Sequence, residues 1–202
     1  MSGLSRIAEA PALRRLRDEA ATRNVPIITE EGAAFLRQLT TLLKPARVLE
    51  IGTAIGFSAA VMAYAYDGAI IDTVEKRITL VNEAKHNLSK LALITRVRVH
   101  HEDALAFTPD ANTAYDLVFI DAAKAQGVRF FERFAPYVKT GGVIVADNLL
   151  FHGLVGQAPD SKDLAQLVRK IDRFNRYVLD RDDFDSMIYT VGDGMSVSIK
   201  KG

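Results

Sequence analysis

The chain has 202 residues, 49% hydrophobic and 25% charged, a composition ordinary for one globular domain with a sizeable core. Its 26 lysines and arginines nearly balance 25 aspartates and glutamates, so the net charge of +1 neither demands nor excludes a nucleic acid partner. The sequence contains no cysteine, which excludes disulfides, thiolate metal sites and cysteine nucleophiles.

The N-terminal stretch has no apolar signal core, and no run is long enough to span a bilayer. We therefore expect a cytoplasmic protein that does not contact a membrane. Two helices are predicted first, over about 4–22 and 29–43. We expect a single domain, 1–202, in which residues 1–45 form N-terminal helices or a lid and residues 46–202 form the core.

From residue 46 onwards, strand-like runs alternate with helix-like runs. The helical pattern is strongest after the second strand, and another helix is predicted from about 128 to 138. The strand runs are almost continuously apolar, which is typical of a parallel sheet covered by helices on both faces. The predicted strands are 46–51, 69–75, 96–100, 115–121 and 141–147.

The last third of the chain follows a different pattern. One amphipathic helix carries a single apolar face, and two strands then flank an Asp-Gly turn, which predicts an antiparallel hairpin. The fold class is therefore α/β, with a mostly parallel sheet closed by that hairpin. The apolar face of the helix consists of Leu164, Leu167, Val168, Ile171, Phe174 and Val178.

Acidic residues stand at or near the ends of successive predicted strands. Ligands of open α/β sheets bind outside the carboxyl ends of the strands. One such acid usually caps the next helix, but five on one rim would repel each other unless a positive group lay among them. A cationic cofactor and a metal ion would both serve. The five acids are Glu50, Glu75, Asp103, Asp121 and Asp147.

The first strand-to-helix turn contains Gly52 and Gly56, which allow a backbone to approach a ligand closely. It is not the dinucleotide pattern, because Ala54 occupies the position of the middle glycine. Glu75 ends the second strand, where an acid suits the two ribose hydroxyls of an adenosine-containing cofactor. Asp103 could accept from an adenine amino group or simply shape its loop, and both alternatives stay open.

Asp121, Asp147 and Asn148 offer three hard oxygen ligands from two strand ends, a set that favours Mg²⁺, Ca²⁺ or Mn²⁺. The alternative is that the acids cap turns and that Asn148 is an ordinary turn residue. Lys124 follows Asp121 by three positions. It is either a base beside the metal or a solvated lysine at the start of a helix.

The chain resembles the divalent-metal-dependent O-methyltransferases of the catechol and caffeoyl-CoA group, which use S-adenosylmethionine. The resemblance implies a Rossmann-like class I methyltransferase fold with a mostly parallel seven-stranded sheet and a C-terminal antiparallel hairpin. It runs from about residue 46 to the C-terminus and rests on six blocks in the family's order: VLEIGTAIGFSA, TVE, EDAL, YDLVFIDAAK, GGVIVADNLLFHG and VGDGMSVSIKK.

The resemblance also implies a role for each matched residue. Asp121, Asp147 and Asn148 would hold the metal, and Lys124 would be the general base, tuned toward neutrality by the cation. Magnesium is the expected ion, with Mn²⁺ or Ca²⁺ as alternatives. The residues expected to line the S-adenosylmethionine site are Glu50, Gly52, Ser58, Glu75, Asp103 and Asp121.

Within this family, the chain is similar to bacterial tRNA 5-hydroxyuridine methyltransferases, through blocks such as VPI, FIDAAKAQ and DNLLFHG. That similarity implies a tRNA acceptor, with small catechols as the alternative because they present the same pair of adjacent oxygens, and a homodimer. Phe151 and Tyr177 could stack on a flipped base, and His152 could face the acceptor unless it is incidental. Arginines of the first helix could meet phosphates or form an ordinary solvated face: Arg6, Arg14, Arg15, Arg17 and Arg23.

Two other classes share parts of this pattern. A nicotinamide dehydrogenase has the same fold class but needs the missing glycine and has no use for the metal acids. A non-catalytic S-adenosylmethionine-binding protein would keep Glu50 and Glu75 but could dispense with Lys124 and the metal set. This chain retains all of them, which favours an enzyme.

Overall fold

The computed structural model describes residues 10–121, 124–150 and 161–202, and the Lys124 side chain lies outside that description. The helices and strands of the described chain occur in the order that the sequence predicts. The helices are α1 (Pro11–Thr22), α2 (Glu30–Leu43), α3 (Phe57–Ala65), α4 (Ile78–Lys90), α5 (Gly127–Phe134) and α6 (Lys162–Leu179). The strands are β1 (Arg47–Ile51), β2 (Ile70–Glu75), β3 (Val97–His101), β4 (Tyr115–Ile120), β5 (Val138–Asp147), β6 (Phe184–Tyr189) and β7 (Met195–Lys200).

The seven strands form one sheet in the order β3-β2-β1-β4-β5-β7-β6. The first five strands are parallel to one another, whereas β7 runs antiparallel to both β5 and β6. The predicted parallel sheet and C-terminal hairpin are therefore confirmed. Since β1 lies between β2 and β4, the strand order reverses there. Such a reversal opens a crevice at the carboxyl ends of the two central strands, β1 and β4.

Capping at the start of α2 illustrates how local sequence sets these boundaries. The Thr29 Oγ1 accepts a hydrogen bond from the Gly32 backbone N–H at 3.1 Å and so satisfies a free donor of the first turn. The helix ends where Lys44 adopts a left-handed conformation, just before Pro45. The chain then enters β1 at once, which places α2 against the sheet.

The stretch between β4 and β5 differs from the prediction. The sequence pattern predicts a helix to about 138 and a strand from 141, but α5 ends at Phe134 and β5 already begins at Val138. Pro136 disfavours continuation of the helix, and a short 3₁₀ turn takes its place. The early start of β5 brings Tyr115 opposite Val138, with a register shift one pair later.

Helices cover both faces of the sheet and leave its carboxyl edge open. Residues of α1 to α4 pack on one face in a cluster that includes Leu36, Phe57 and Leu88. Residues of α5 and α6 pack on the other face around Phe131 and Phe174. Within the described ranges, no helix has both the length and the apolarity needed to cross a membrane.

Candidate active site

A cavity of about 390 Å³ opens at the carboxyl ends of the parallel strands. Its wall includes Gly52 after β1, Glu75 at the end of β2, Asp103 after β3 and Asp121 after β4. Asn148, after β5, also contributes to the wall. Five of the sequence-predicted site residues therefore meet at one place, the crevice where the strand order reverses.

Glu75 is fixed in orientation by backbone groups from two loops. Its Oε2 accepts a hydrogen bond from the Ala54 N–H at 3.2 Å, and its Oε1 accepts one from the Arg77 N–H at 2.9 Å. The side chain is nearly buried, with 8% of its surface exposed, yet it faces the cavity. Each carboxylate oxygen has a second lone pair, so Glu75 can still accept from a ligand.

Glu50 lies below the first turn, and neither it nor Ser58 is among the residues that line the cavity. Glu50 is fully buried, the Thr73 hydroxyl donates to its Oε2, and the Thr53 hydroxyl lies 2.6 Å from that of Thr73. Burial raises the pKa of Glu50 to about 7, although the hydroxyls of Ser58 and Thr73 oppose the increase. The structure thus places Glu50 as a buried support of the turn, and a direct contact with the cofactor stays a prediction.

The three predicted metal ligands lie together at the ends of β4 and β5. Asn148 Nδ2 donates to Asp121 Oδ1 at 3.0 Å, and the Asn148 backbone N–H donates to Asp147 Oδ1 at 2.7 Å. All three side chains are half-buried. Asn148 has a φ of 70°, in the left-handed region that asparagine tolerates better than most residues.

The donor set fits a hard divalent cation. Two carboxylates and one amide supply only oxygen ligands, and they leave coordination positions for water or an acceptor. Among the described residues, no group of three or more histidines, aspartates and glutamates lies close enough to hold a metal ion. A metal site at this rim would therefore depend on the amide oxygen of Asn148.

The structure supports the predicted role of some other site residues and not of others. Asp103 lines the cavity while its Oδ1 accepts from the Leu105 N–H at 2.8 Å, so it shapes its loop and remains available to a ligand. The Tyr177 ring packs edge-on against Phe131 at 5.8 Å and its hydroxyl accepts from Arg181, so it belongs to the α6 core rather than to the cavity wall. The Lys124 side chain, Phe151 and His152 lie outside the described residues.

The sequence interpretation did not find several residues of the cavity wall. Pro26 and Ile27 come from the connection between α1 and α2, and the VPI block was their one signal. Phe130, a core residue by its pattern, also reaches the wall. Acids outnumber cations there: Glu75, Glu102, Asp103 and Asp121 against Lys76 and Arg77. That surplus favours a positively charged ligand.

Comparison with known proteins agrees with this arrangement of strands. A family model described as O-methyltransferase matches residues 4–201, almost the whole chain. The chain belongs to the O-methyltransferase family. The expectation of an S-adenosylmethionine-dependent O-methyltransferase is confirmed, in preference to the alternative of a non-catalytic binding protein.

The relatives of this methyltransferase include a caffeoyl-CoA O-methyltransferase and a catechol O-methyltransferase. It is 27% identical to caffeoyl-CoA O-methyltransferase from Medicago sativa, over 94% of this chain and 81% of the relative. It is 30% identical to catechol O-methyltransferase from Mycobacterium tuberculosis, over 79% of this chain and 73% of the relative. Each of these relationships covers more than three quarters of this chain.

Solved structures agree with the fold of this methyltransferase. A presumed caffeoyl-CoA O-methyltransferase from Staphylococcus aureus superposes with a TM-score of 0.89 at 32% identity, covering 95% of this chain and 93% of that chain. The O-methyltransferase TomG from Streptomyces achromogenes, in complex with S-adenosylmethionine, gives a TM-score of 0.80 at 25% identity, covering 96% and 91%. The predicted Rossmann-like methyltransferase fold is confirmed.

Proposed function

We propose that this enzyme transfers a methyl group from S-adenosylmethionine to a hydroxyl that stands beside a second oxygen, with a divalent cation held by Asp121, Asp147 and Asn148. One observation carries the metal part of the proposal. Asn148 joins the ends of β4 and β5 beside the cavity that Glu75 faces, since its side chain contacts Asp121 at 3.0 Å and its backbone N–H contacts the Asp147 carboxylate at 2.7 Å.

The cavity supports binding of the methyl donor. S-adenosylmethionine carries a sulfonium and an ammonium group, and the wall has an excess of carboxylates to receive them. Glu75 is held by two backbone N–H groups in a position from which it can accept from ribose hydroxyls. The Gly52 turn lets the backbone approach the donor closely.

The residues proposed for the chemistry have distinct tasks. A divalent cation, when bound, would orient the acceptor and lower the pKa of its hydroxyl. Lys124 is proposed to take the hydroxyl proton at Nζ. The acceptor oxygen then forms a bond to the methyl carbon while the carbon–sulfur bond breaks. Asp121 belongs to the proposed metal set and also lines the cavity, so it would hold the two reactants in register.

The proposed acceptor is 5-hydroxyuridine in the tRNA anticodon, on the basis of the subfamily blocks and the basic first helix. Arg14 and Arg15 are exposed on α1. Two other arginines of this helix region are already engaged, since Arg17 pairs with Glu30 at 3.1 Å and Arg23 with Glu83. Only the first two therefore stay in the proposal as phosphate contacts; Arg6 lies outside the described residues.

The position of Arg15 limits which phosphates it could reach. Arg15 and Lys90 line a groove between α1 and the C-terminal end of α4. The N-terminal end of α4 lies at the rim, about 18 Å from the C-terminal end at a rise of 1.5 Å per residue. A contact there would involve the anticodon stem rather than the base being methylated.

Small catechols are the second candidate, because they present the same adjacent oxygens and one relative is a catechol O-methyltransferase. A catechol would need only the cavity and the metal set. A tRNA would also need the exposed Arg14 and Arg15 of α1. The homodimer implied by the resemblance stays a prediction.

The deciding experiment compares kcat/KM for tRNA bearing 5-hydroxyuridine and for a catechol panel in four proteins. These are the wild type, Arg14→Glu, Arg15→Glu and the control Arg169→Glu, whose exposed arginine lies on α6, on the opposite face of the sheet. We expect either α1 variant to lower tRNA methylation about tenfold and to flatten its salt dependence. Catechol methylation should not change.

A strong preference for catechols, with fully hydroxylated tRNA inert, would make a small-molecule methyltransferase the better interpretation. An equal loss of tRNA methylation in Arg169→Glu would show that the effect is a general charge effect. Either result would remove α1 as the proposed contact surface.

A further inference from the structure

Two buried asparagines make the same kind of contact at the two halves of the site. Asn87 on α4 is 8% exposed, and its Nδ2 donates to the Ile55 carbonyl at 3.0 Å. Asn175 on α6 is 9% exposed, and its Nδ2 donates to the Leu149 carbonyl at 2.9 Å. In both, a helix side chain binds a backbone carbonyl in the loop that follows a strand of the sheet.

Asn87 holds the turn on the cofactor side. Ile55 lies in that turn between Ala54, whose N–H orients Glu75, and Gly56. The helix that carries Asn87 lies against this turn, since a Cβ at Gly56 would lie 3.4 Å from Leu88 Cγ. The hydrogen bond therefore ties the turn to α4, the helix that begins just after Glu75.

Asn175 holds the segment on the metal side. Leu149 directly follows Asn148, whose left-handed conformation needs outside contacts to keep it in place. The hairpin supplies two, since the Leu149 N–H donates to the Gly194 carbonyl at 3.0 Å and the Leu150 N–H to the Asp193 carbonyl at 2.8 Å. Asn175 supplies a third from α6, on the opposite side of the sheet from α4.

We propose that Asn87 and Asn175 are separate positioning residues, Asn87 for the cofactor-binding turn and Asn175 for the metal-binding segment. Loss of either amide should then weaken the binding of one ligand and leave the binding of the other almost unchanged, because the two loops are held from opposite faces by different helices. The Asn175 half rests on the proposed metal site, whereas the Asn87 half needs only the cofactor cavity.

The test replaces each asparagine with leucine, which keeps the number and branching of the side-chain heavy atoms and removes the amide. At Asn175 this also removes a buried Oδ1 that has no hydrogen-bond partner among the described residues, so we expect the variant to fold. If a leucine variant does not melt cooperatively, serine at the same position takes its place. S-adenosylmethionine affinity is measured by calorimetry without metal, and Mn²⁺ affinity by electron paramagnetic resonance without cofactor.

The expected result is a crosswise pattern. Asn87→Leu should weaken S-adenosylmethionine binding about tenfold with Mn²⁺ affinity unchanged. Asn175→Leu should weaken Mn²⁺ binding about tenfold with S-adenosylmethionine affinity unchanged. Losses of both affinities in parallel with a fall in melting temperature, or no loss at all, would overturn the proposal. A wild-type enzyme that binds no Mn²⁺ would instead overturn the metal site of the proposed function, and the Asn87 result would still stand.

Discussion

The turn proposed to bind the cofactor, Gly52–Gly56, and the segment proposed to bind the metal, Asp147–Leu150, are both strand-end loops anchored by one buried asparagine, but they are supported differently. The turn rests on a buried chain of hydroxyls and a carboxyl group, from Thr53 through Thr73 to Glu50. The segment rests on backbone carbonyls of the C-terminal hairpin. One loop is supported from inside the core and the other from an adjacent loop.

This difference follows from where the supporting parts lie in the chain. The turn and its supports come from β1, β2 and α4, all within residues 47–90. The metal-binding segment needs β4, β5, α6 and the hairpin, which extend from residue 115 to residue 200. We therefore expect the metal half to depend on more distant contacts and to tolerate fewer changes than the cofactor half.

Removal of the metal should give the largest effect. Exhaustive chelation, or Asp121→Asn, should lower kcat/KM by about 10³-fold, because the cation supplies several kcal/mol of stabilisation to the reacting oxygens. Added Mg²⁺ or Mn²⁺ should restore the chelated enzyme. Asp116→Asn is the matched control, since Asp116 lies near the other end of β4 and pairs with Lys139. Full turnover in chelator would reject the metal mechanism.

Glu50, which supports the cofactor-binding turn from inside the core, should make the stability of the protein depend on pH. The pKa of Glu50 is about 7 in the folded protein, against an ordinary value of 4.5, because its carboxyl group is buried. Unfolding releases its proton above about pH 4.5, so the wild type loses stability between pH 4.5 and 7 and does not regain it at higher pH. Glu50→Gln cannot ionise and should gain roughly 2–3 kcal/mol over the wild type between pH 5 and 8.

Urea unfolding of both proteins at pH 5, 6, 7 and 8 measures this gain directly. Curves of unfolding free energy that stay parallel across the range would show that Glu50 is ionised in the folded protein. In that case the turn would rest on a charged group rather than on a neutral carboxyl.

Loss of the Glu75 carboxylate should weaken the binding of S-adenosylmethionine without affecting the binding of the metal. Glu75→Ala removes a charged acceptor, and S-adenosylmethionine binding should fall by roughly 1.5–3 kcal/mol by calorimetry. Glu102→Ala is the control, because Glu102 also lines the cavity but is exposed. Equal losses in the two variants would mean that general negative charge, rather than a fitted acceptor, binds the cofactor.

The sequence predicts the strands, the rim and five of the residues that line the cavity, because apolar runs and strand-end polar residues are local patterns. It does not predict Asn87 or Asn175 as anchors, since a buried asparagine in a helix is informative only when the loop opposite its amide is known. Glu50 shows the same limit: its place in the sequence suggests the rim, and burial beneath the turn becomes clear only from Thr53 and Thr73. The early start of β5 depends likewise on pairing with Tyr115, distant in sequence.

Two glycines test the difference between the halves at the smallest scale. Gly56 and Gly194 both have a φ of 85°, so alanine at either position meets the same backbone strain of about 1 kcal/mol. A Cβ at Gly56 would lie 3.4 Å from its nearest neighbour, Leu88 Cγ, which is close to an ordinary contact. A Cβ at Gly194 would lie 2.5 Å from Leu150 Cγ and 2.8 Å from the Leu150 backbone nitrogen, so the metal-binding segment itself must shift.

We therefore expect Gly56→Ala to lower the free energy of unfolding by about 1 kcal/mol and Gly194→Ala by about 2 kcal/mol, because only the second adds overpacking to the strain. Urea unfolding measures both values, and Mn²⁺ titration of the same proteins should show weakened binding in Gly194→Ala alone. If both alanine variants lose the same stability and keep the same Mn²⁺ affinity, the metal-binding segment is as tolerant as the cofactor-binding turn. The hairpin would then be a neighbour of the site rather than its support.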